Sequence, residues 1–316
     1  MIFLLLGCDL EAPADPGATT EVFFEVPAGA TARGLGDDLV GAGILSAEWK
    51  WEWFLRMGAD GSCVKAGRHR VAASMDLPAL LGALCGPPVP KDEPFTIPEG
   101  WRARDIDAAL AAKGWIEAGR YIEATREPSA YTATFPLPTS GSLEGYLFPE
   151  TYRVEPDRFD AKAFVQRQLD TFAARFAAGK TFDARPLHDV VTMASMLERE
   201  EPKKEKRPLV AGILWKRIDS GWNPGVDATS RYTLDDWNDR KACLGQLRDP
   251  EDPWNTRLRP GLPPTPIGNP GIAALEAAAA PEASEFWYYL HDSEQNLHPS
   301  RSVAEHEGFR KKYNVY

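Results

Sequence analysis

Glu198 stands in the segment VVTMASMLEREEP, whose residue pattern predicts an amphipathic helix. Pro186 near the start of the pattern and Pro202 after its end bound a helix from about His188 to Glu200. At 3.6 residues per turn, Glu198 falls at the edge of the apolar face. Burial beside apolar groups raises the pKa of a carboxyl group, which can then act as a general acid near neutral pH. Glu198 is therefore a candidate catalytic residue.

The same helix pattern makes further predictions. We expect Thr192 and Arg199 to point away from the apolar face, and Glu200 and Glu201 to be solvated near the frayed end. The apolar face itself is predicted to comprise Val190, Val191, Met193, Ala194 and Leu197. A structural ion pair is the alternative role for Glu198, and the helix taken alone favours it. The basic residues within reach along the chain are Arg199, Lys203 and Lys204.

A second segment with candidate chemistry, SLEGYLFPETY, spans residues 142–152. Gly145 and Pro149 interrupt regular structure, so a loop or a strand end is predicted. Aromatic rings offer flat faces on which pyranose rings stack, and carboxylates accept hydrogen bonds from sugar hydroxyls. Glu144 and Tyr146 are therefore candidate glycan-binding residues. The alternative is that the aromatics fill a core beneath a loop, and this stretch alone favours that alternative.

Two segments of the chain repeat at an offset of 71 residues, which aligns Phe24 with Phe95. Each copy predicts a short strand, a Pro-x-Gly turn and an amphipathic helix that ends at glycine. Small units of this kind resemble LysM-like modules, which bind the glycan chains of peptidoglycan. A structural α+β subdomain without a ligand is the alternative. The identical positions are Phe24/Phe95, Pro27/Pro98, Gly29/Gly100, Ala32/Ala103, Arg33/Arg104, Leu39/Leu110 and Gly43/Gly114.

Length and composition limit the classes of protein to consider. The 316 residues are 43% hydrophobic and 26% charged, which is typical of a globular chain with two domains. The formal net charge is −10, and the sequence contains no basic stripe. Nucleic-acid binding depends on basic groups that neutralise phosphates, so this class is excluded.

The N-terminal sequence MIFLLLGCDL contains an apolar run too short to span a bilayer. Its end, Leu-Leu-Gly-Cys, resembles the lipobox of bacterial lipoproteins, in which the cysteine is lipidated. We therefore expect residues 1–8 to be a truncated signal, Cys8 to be lipidated and residues 9–20 to be a tether. Asp9 resembles the signal that retains lipoproteins at the inner membrane. A frayed apolar terminus is the alternative interpretation.

Three cysteines remain once Cys8 is set aside. Export would permit a disulfide between Cys63 and Cys85, but the sequence does not establish this pairing. Both residues are equally compatible with being small buried side chains.

Four blocks together give a specific resemblance. LEGYLFPETY, MASMLEREE, NTRLRPGLPPTPIGNPGIAALEAAAAP and FWYYLHD resemble, in order and spacing, the motifs of the endolytic murein transglycosylases, the MltG or YceG-like family. The resemblance extends from about Phe24 to the C-terminus. In that family the glutamate of an S-x-x-E-x-E helix is catalytic, and we place it on Glu198. The resemblance implies an α+β fold, no cofactor and no metal.

The implied reaction cleaves the bond between N-acetylmuramic acid and N-acetylglucosamine without water and leaves 1,6-anhydro ends. One carboxylate suffices, because the attacking 6-hydroxyl belongs to the substrate, whereas ordinary glycosidases generally use two. An oxocarbenium-like transition state requires a polar, preorganised pocket. The candidate substrate-binding residues are Glu144, Tyr146, Asp227, Thr229, Asn255, Thr256 and His298.

The sequence departs from the family pattern at several points. DATSRY keeps Asp227, Thr229 and Tyr232 but has Ala228 where relatives have proline. Arg257 follows Asn255-Thr256 where an aromatic is common, which puts a glycan subsite in doubt. NLHPSRSVAEHE keeps His298 and His306 but lacks the aromatic of a G-x-H-x-F segment.

The histidines and the two glutamates allow other functional interpretations. His291, His298 and His306 lie near acidic residues, but spacings of seven and eight residues lack the short pairs usual for zinc ligands, so no metal is predicted. Glu198 and Glu144 together would instead suit a hydrolase with a water nucleophile. A third alternative is a catalytically inactive peptidoglycan-binding lipoprotein or scaffold.

The predicted organisation is an envelope lipoprotein with an α+β fold. Residues 21–90 form a LysM-like module and residues 91–316 a lytic transglycosylase domain, in which 91–140 is the second repeat unit. We expect an inner-membrane anchor, a periplasmic location and partnership with peptidoglycan synthases. Cleavage inside nascent strands would limit glycan length.

Overall fold

The computed structural model describes residues 10–139 and 141–315. The predicted signal, the lipidation site at Cys8 and the retention signal at Asp9 lie outside these residues. The chain forms two compact units that divide between Glu93 and Pro94. Across the two described ranges, no helix combines the length and the apolar character needed to cross a membrane.

The first unit is built on an antiparallel pair of strands, β1 (Glu21–Val26) and β2 (Gly67–Ala72). Inward residues alternate at the end of β1, where Phe24 and Val26 are buried. Helices α1 (Gly36–Gly41), α2 (Glu48–Arg56) and α3 (Leu77–Cys85) complete the unit. The indole of the fully buried Trp51 donates a hydrogen bond to the Ala32 carbonyl at 2.7 Å.

A disulfide joins Cys63 and Cys85 in this unit, with their Cα atoms 5.0 Å apart. The structure therefore contains the pairing that the sequence left open. Cys243, in the second unit, is a buried free thiol.

The predicted repeat of strand, turn and helix is confirmed. β3 (Glu93–Thr96) and α4 (Ala103–Ala112) form the second copy. Gly29 and Gly100 occupy the same place in the two turns, with φ of 80° and 82°. Gly43 and Gly114 have φ of 71° and 72° at the end of each copy's helical segment. Residues with side chains rarely adopt these angles, which explains why glycine recurs at both offsets.

The second unit is mainly helical with two small sheets. β3 pairs with β4 (Thr151–Val154), and β5 (Tyr288–His291) pairs antiparallel with β6 (Leu297–Ser300). Helix α6 (Ala161–Phe172) continues into a π-helical turn, Ala173–Ala177. The mixed α+β fold is as predicted. The remaining helices are α5 (Arg120–Thr125), α7 (Leu187–Glu200), α8 (Arg207–Asp219), α9 (Asp227–Arg231), α10 (Arg240–Gln246), α11 (Ile272–Ala279) and α12 (Val303–Tyr313).

Helix α7 lies at the centre of the second unit's core. It begins after Pro186 and ends at Glu200, close to the predicted bounds. The predicted apolar residues are buried, but Thr192 is also only 1% exposed, so the expectation that it points away is wrong. The alanine-rich α11 packs along α7, since small side chains allow two helices to approach closely.

Candidate active site

The environment of Glu198 differs from the prediction. Arg207, the first residue of α8, donates two hydrogen bonds to the Glu198 carboxylate: one from Nη2 to Oε1 at 2.7 Å and one from Nη1 to Oε2 at 3.1 Å. The side chains of Arg207 and Glu198 are 3% and 6% exposed. Glu198 is thus a buried, bidentate ion-paired carboxylate, which matches the ion-pair alternative that the sequence left open. Its partner, however, is none of the three basic residues considered from the sequence.

The Pro-rich segment of residues 261–271 supplies another hydrogen bond to Glu198. The Gly271 backbone N–H donates to Oε2 at 3.0 Å. A Cβ atom added at Gly271 would lie 2.1 Å from Oε1 of Glu99, so a larger residue here would require the exposed Glu99 side chain to move. Upstream in the same segment, the Ile267 N–H donates to Oγ of Ser195 on α7 at 2.9 Å. The segment is therefore fastened to the helix that carries the glutamates.

Glu200 is partly buried on the wall of a cleft, whereas the sequence predicted a solvated side chain. Its Oε1 accepts a hydrogen bond from the Tyr289 hydroxyl of β5 at 3.1 Å. Burial is the main cause that raises the pKa of Glu200, and the negative charge of Asp227 raises it further. The hydrogen bond from Tyr289 and the positive groups of His291 and Arg217 act in the opposite direction. The net effect is a pKa for Glu200 above its ordinary value.

Glu201 is fully buried, which also corrects the prediction that it is solvated. Its Oε2 lies 2.9 Å from Nε2 of His291, and its Oε1 accepts a hydrogen bond from the Lys203 N–H at 2.7 Å. The hydrogen bond with Glu201 is the main cause that raises the pKa of His291. β5 therefore covers the end of α7 with one tyrosine and one histidine, each bonded to a glutamate.

The cleft beside Glu200 has a volume of about 1020 Å³. Its walls are formed by α7, α8, α9, α10, α12 and β5, together with the segments that follow α8, α10 and α12. Its lining combines acidic, basic and aromatic side chains. The acidic and aromatic lining residues are Glu200, Asp227, Trp222, Tyr288 and Tyr289.

Asn269 joins the Pro-rich segment to the loop that contains Glu144. Its Oδ1 accepts hydrogen bonds from the N–H groups of Gly145 at 2.8 Å and Leu147 at 3.0 Å. Its Nδ2 donates to the Trp101 carbonyl and to Oε1 of Glu144, both at 2.9 Å. Asn269 is itself fully buried, so it fixes three chain segments inside the core.

Glu144 is 3% exposed and bonds protein groups on several sides. Both of its carboxylate oxygens accept from the Ala103 N–H, at 3.0 and 3.1 Å, and Oε2 accepts from the Tyr232 hydroxyl at 3.2 Å. Burial raises the pKa of Glu144 to about 7. Tyr146 is likewise buried, with its hydroxyl 3.1 Å from Nδ1 of His188. Both side chains lie in the core beneath the loop.

The other predicted binding residues fall into a buried and a cleft-facing group. The hydroxyls of Thr229 and Thr256 are buried and 3.0 Å apart, and Asn255 is also buried. Asp227 lies in the cleft, where it forms a bidentate ion pair with Arg257. The structure thus brings Asp227 and Glu200 together on one cleft wall.

His298 lies elsewhere on the second unit. Its Nε2 is 2.9 Å from Oδ2 of Asp292, and its ring stacks on Tyr313 of α12 at 3.9 Å between centroids. It is not among the residues that line the cleft. Within residues 10–139 and 141–315, no group of three or more His, Cys, Asp or Glu side chains is arranged to hold a metal ion.

Sequence reasoning missed Arg207, Asn269 and Tyr289. Asn269 stood in the most unusual string of the chain, GLPPTPIGNPG, and that string was the available signal. Glu200 belongs to the same E-x-E motif as Glu198, so the motif indicated two candidate carboxylates. The helix pattern did not predict the partner of either one, which is Arg207 for Glu198 and Tyr289 for Glu200.

The second unit thus has a mixed α+β fold with a cleft, and the cleft wall carries Glu200, a carboxyl group of raised pKa. The chain belongs to the YceG-like family, whose sequence profile matches residues 24–312. It is 25% identical to an endolytic murein transglycosylase of Bacillus subtilis strain 168, over 98% of this chain and 89% of that protein. It is 23% identical to an endolytic murein transglycosylase of Streptococcus pneumoniae strain D39, over 93% of this chain and 60% of that protein.

The fold is also similar to a crystal structure of a YceG-like protein from Listeria monocytogenes. The TM-score is 0.60 at 23% identity, and the match covers 92% of this chain and 99% of the other. This match supports the mixed α+β fold along nearly the whole chain.

Proposed function

We propose that this protein is an endolytic murein transglycosylase that cleaves peptidoglycan glycan strands and leaves 1,6-anhydro-N-acetylmuramic acid ends. Membership of the YceG-like family and the names of its relatives support this reaction. The observation that carries the mechanism is Glu200, a carboxyl group of raised pKa on the wall of a cleft of about 1020 Å³. Such a volume suits an extended ligand such as a glycan.

The reaction needs one group that gives a proton and then removes one. In its protonated form Glu200 donates to the glycosidic oxygen as the bond from that oxygen to C1 of the muramyl residue breaks. The 6-hydroxyl oxygen of the same residue attacks C1, and the Glu200 carboxylate takes the hydroxyl proton. Glu200 ends in its starting form, so water, metal and cofactor have no part in the balance.

The sequence places the catalytic role on Glu198, whereas the geometry favours Glu200. Both carboxylate oxygens of Glu198 accept hydrogen bonds from Arg207, and Oε2 also accepts one from the Gly271 N–H, so the protein itself occupies this carboxylate. Glu200 accepts from a neutral hydroxyl and lies on the cleft wall. In this proposal Glu198 is a positioning residue that fixes the end of α7, and Asp227 raises the pKa of Glu200.

The finer assignments are part of the same proposal. Residues 21–90 form a LysM-like glycan-binding module, with β1, β2 and the helices between them as its framework. Cys8 carries a lipid anchor at the inner membrane, and the protein faces the periplasm, where it works with peptidoglycan synthases on nascent strands. The Cys63–Cys85 disulfide supports an oxidising compartment. Asp227 and His298 contact glycan from solvent-accessible positions.

The test uses residues 10–316 as a soluble protein, purified peptidoglycan, and mass spectrometry of the released muropeptides. Wild type is compared with Glu200→Gln, Glu198→Gln and the control Glu205→Gln, an exposed glutamate outside the cleft lining. We expect 1,6-anhydro products from wild type and the control, and none from Glu200→Gln. A folded Glu198→Gln that is inactive beside an active Glu200→Gln would return the catalytic role to Glu198.

The chemistry of the product ends separates the alternatives. Reducing ends would establish a hydrolase with a water nucleophile and overturn the transglycosylase mechanism. A folded protein that binds glycan without releasing any product would instead be a scaffold. Circular dichroism and an unfolding curve for each variant show whether lost activity reflects lost fold.

A further inference from the structure

The lining of the cleft is strongly basic, although the chain carries a formal net charge of −10. Its only carboxylates among the described residues are Glu200 and Asp227. Asp227 is already neutralised by Arg257. The arginines of the lining are Arg217, Arg231, Arg240, Arg248, Arg257 and Arg310. Concentrated basic groups in a concave surface attract anionic ligands.

Two of these arginines are available to a ligand. Arg240 and Arg248 are exposed, and neither forms an ion pair or a side-chain hydrogen bond with the part of the chain that the structure describes. Arg240 begins α10, Leu244 lies one turn further along it, and Arg248 follows the end of the helix. All three line the cleft. Leu244 is 49% exposed and also lines the cleft.

This wall, which we call the α10 wall (Arg240, Leu244 and Arg248), is held in place from behind. Cys243 of the same helix is buried. The buried Asn255 donates through Nδ2 to the carbonyls of Gln246 at 3.0 Å and Asp249 at 3.1 Å, at the end of α10. Asp239 caps the start of the helix through the Ala242 N–H. Both α10 and the turn that follows it, which carries Arg248, are therefore held in place.

A neutral glycan does not require free guanidinium groups, because sugar hydroxyls are bound by polar and aromatic side chains. The cleft already offers an exposed indole, Trp222, which is 43% exposed and packs against Trp287 in a tilted arrangement, with ring centroids 4.6 Å apart. Peptidoglycan differs from other glycans in the peptide stems carried by its muramyl lactyl groups, and these stems have free carboxylates. Guanidinium groups match carboxylates in charge and in hydrogen-bond geometry.

We propose that Arg240 and Arg248 bind the carboxylates of a peptide stem, so that the cleft selects peptide-bearing glycan over bare glycan. This inference rests on the proposed function and specifies the part of the substrate that its cleft recognises. Leu244 packs against an aliphatic portion of the same stem. The arrangement divides recognition between a sugar next to Glu200 and a peptide on the α10 wall.

The experiment compares intact glycan strands with the same strands after an amidase has removed the stems. Binding is measured by co-sedimentation and cleavage by release of 1,6-anhydro products, at low and at high salt. The variant is Arg240→Gln/Arg248→Gln, and the matched control is Arg158→Gln, an exposed arginine outside the cleft lining. We expect the double variant to lose about tenfold in affinity for intact strands and to bind stripped strands like wild type.

High salt should reduce the preference of wild type for intact strands, since exposed charge contacts are screened. Equal affinity of wild type for intact and stripped strands, or an unchanged affinity of the double variant, would overturn the inference. An equal loss on both kinds of strand would also overturn it, because the arginines would then support the glycan site itself. Competition by free stem peptide is expected, whereas competition by inorganic pyrophosphate alone would assign the wall to a phosphate group.

The two proposals fail in different ways. Cleavage with 1,6-anhydro products but without stem preference would remove only the role of the α10 wall. Stem-dependent binding without product from wild type would remove the transglycosylase activity and retain the peptide site.

Discussion

Arg207 donates both of its Nη groups to Glu198 across the junction between α7 and α8, and both side chains are almost completely buried. The Gly271 N–H completes the coordination of the same carboxylate. Two consecutive helices and a segment 73 residues further along the chain thus converge on one charge. Because removing one partner of a buried pair leaves the other uncompensated, the pair holds these segments in a single arrangement.

Replacement of Glu198 should therefore reduce stability as well as activity. We expect Glu198→Gln to lower the free energy of unfolding by about 3 kcal/mol, since it leaves the Arg207 charge buried without its counter-ion. Urea unfolding followed by circular dichroism measures the change. The control is Glu123→Gln, which breaks the exposed Arg120–Glu123 pair and should cost no more than about 0.5 kcal/mol. Equal losses in the two variants would contradict the structural role of the Glu198 pair.

Asn269 should be a second position of high cost. Asn269→Ala removes four side-chain hydrogen bonds and leaves the buried groups of Gly145, Leu147 and Glu144 without those partners. We expect a loss of about 3 kcal/mol or more in the free energy of unfolding. Asn238→Ala, at an exposed position, is the matched control and should change it by less than about 0.5 kcal/mol. A small effect at Asn269 would show that water replaces its partners readily.

The features predicted correctly from the sequence are those that local patterns determine. Pro186, Pro202 and the apolar spacing between them fixed α7 to within a residue at its start. Paired glycines 71 residues apart indicated the repeated turn, because each requires a positive φ.

The partners of the site residues could not be read from local patterns. Helix periodicity predicts only that the end of α7 points toward solvent, yet Tyr289 and His291, 89 and 90 residues away from their partners, cover Glu200 and Glu201. Arg207 is near Glu198 in sequence but reaches it only because the chain turns between α7 and α8. Charge and burial at these positions are consequences of tertiary packing.

Glu144 should make stability depend on pH. Its pKa is raised from the ordinary value of 4.5 to about 7 in the folded protein, so the folded state holds a proton that the unfolded state releases. The free energy of unfolding therefore falls as pH rises from about 5 to 8, by up to about 3 kcal/mol from this group. The stabilising effect is complete below the unfolded pKa and lost above the folded one.

Unfolding curves at several pH values test this dependence. Glu144→Gln cannot titrate, so its stability should fall less steeply than that of wild type across the same window. The difference between the two proteins isolates Glu144 from other titrating groups. Parallel curves for wild type and Glu144→Gln would contradict the assignment.

Reduction of the Cys63–Cys85 disulfide should destabilise the first unit. The bond closes a loop of 22 residues, which corresponds to a contribution of about 3 kcal/mol from the restricted unfolded chain. A reductant should lower the melting temperature of wild type. It should have no such effect on Cys63→Ser/Cys85→Ser, which is expected to melt at the reduced wild-type temperature. An equal response of both proteins would show that the reductant acts elsewhere.

The pH dependence of cleavage should report Glu200 and its bond with Tyr289. A general acid must be protonated, so product release should decline as pH rises through the pKa of Glu200, which lies above its ordinary value. The Tyr289 hydroxyl stabilises the carboxylate and lowers this pKa. Tyr289→Phe removes that hydrogen bond, so the alkaline decline should move to higher pH.

The test measures the rate of 1,6-anhydro product release against pH for wild type, Tyr289→Phe and Tyr131→Phe. The Tyr131 hydroxyl donates to the Ala124 carbonyl outside the cleft lining, so its variant should keep the wild-type profile. A profile that stays in place in Tyr289→Phe would mean that the titrating acid is a different group. A shift toward lower pH would mean that the hydroxyl stabilises the protonated form instead, because only then would its loss lower the pKa of Glu200.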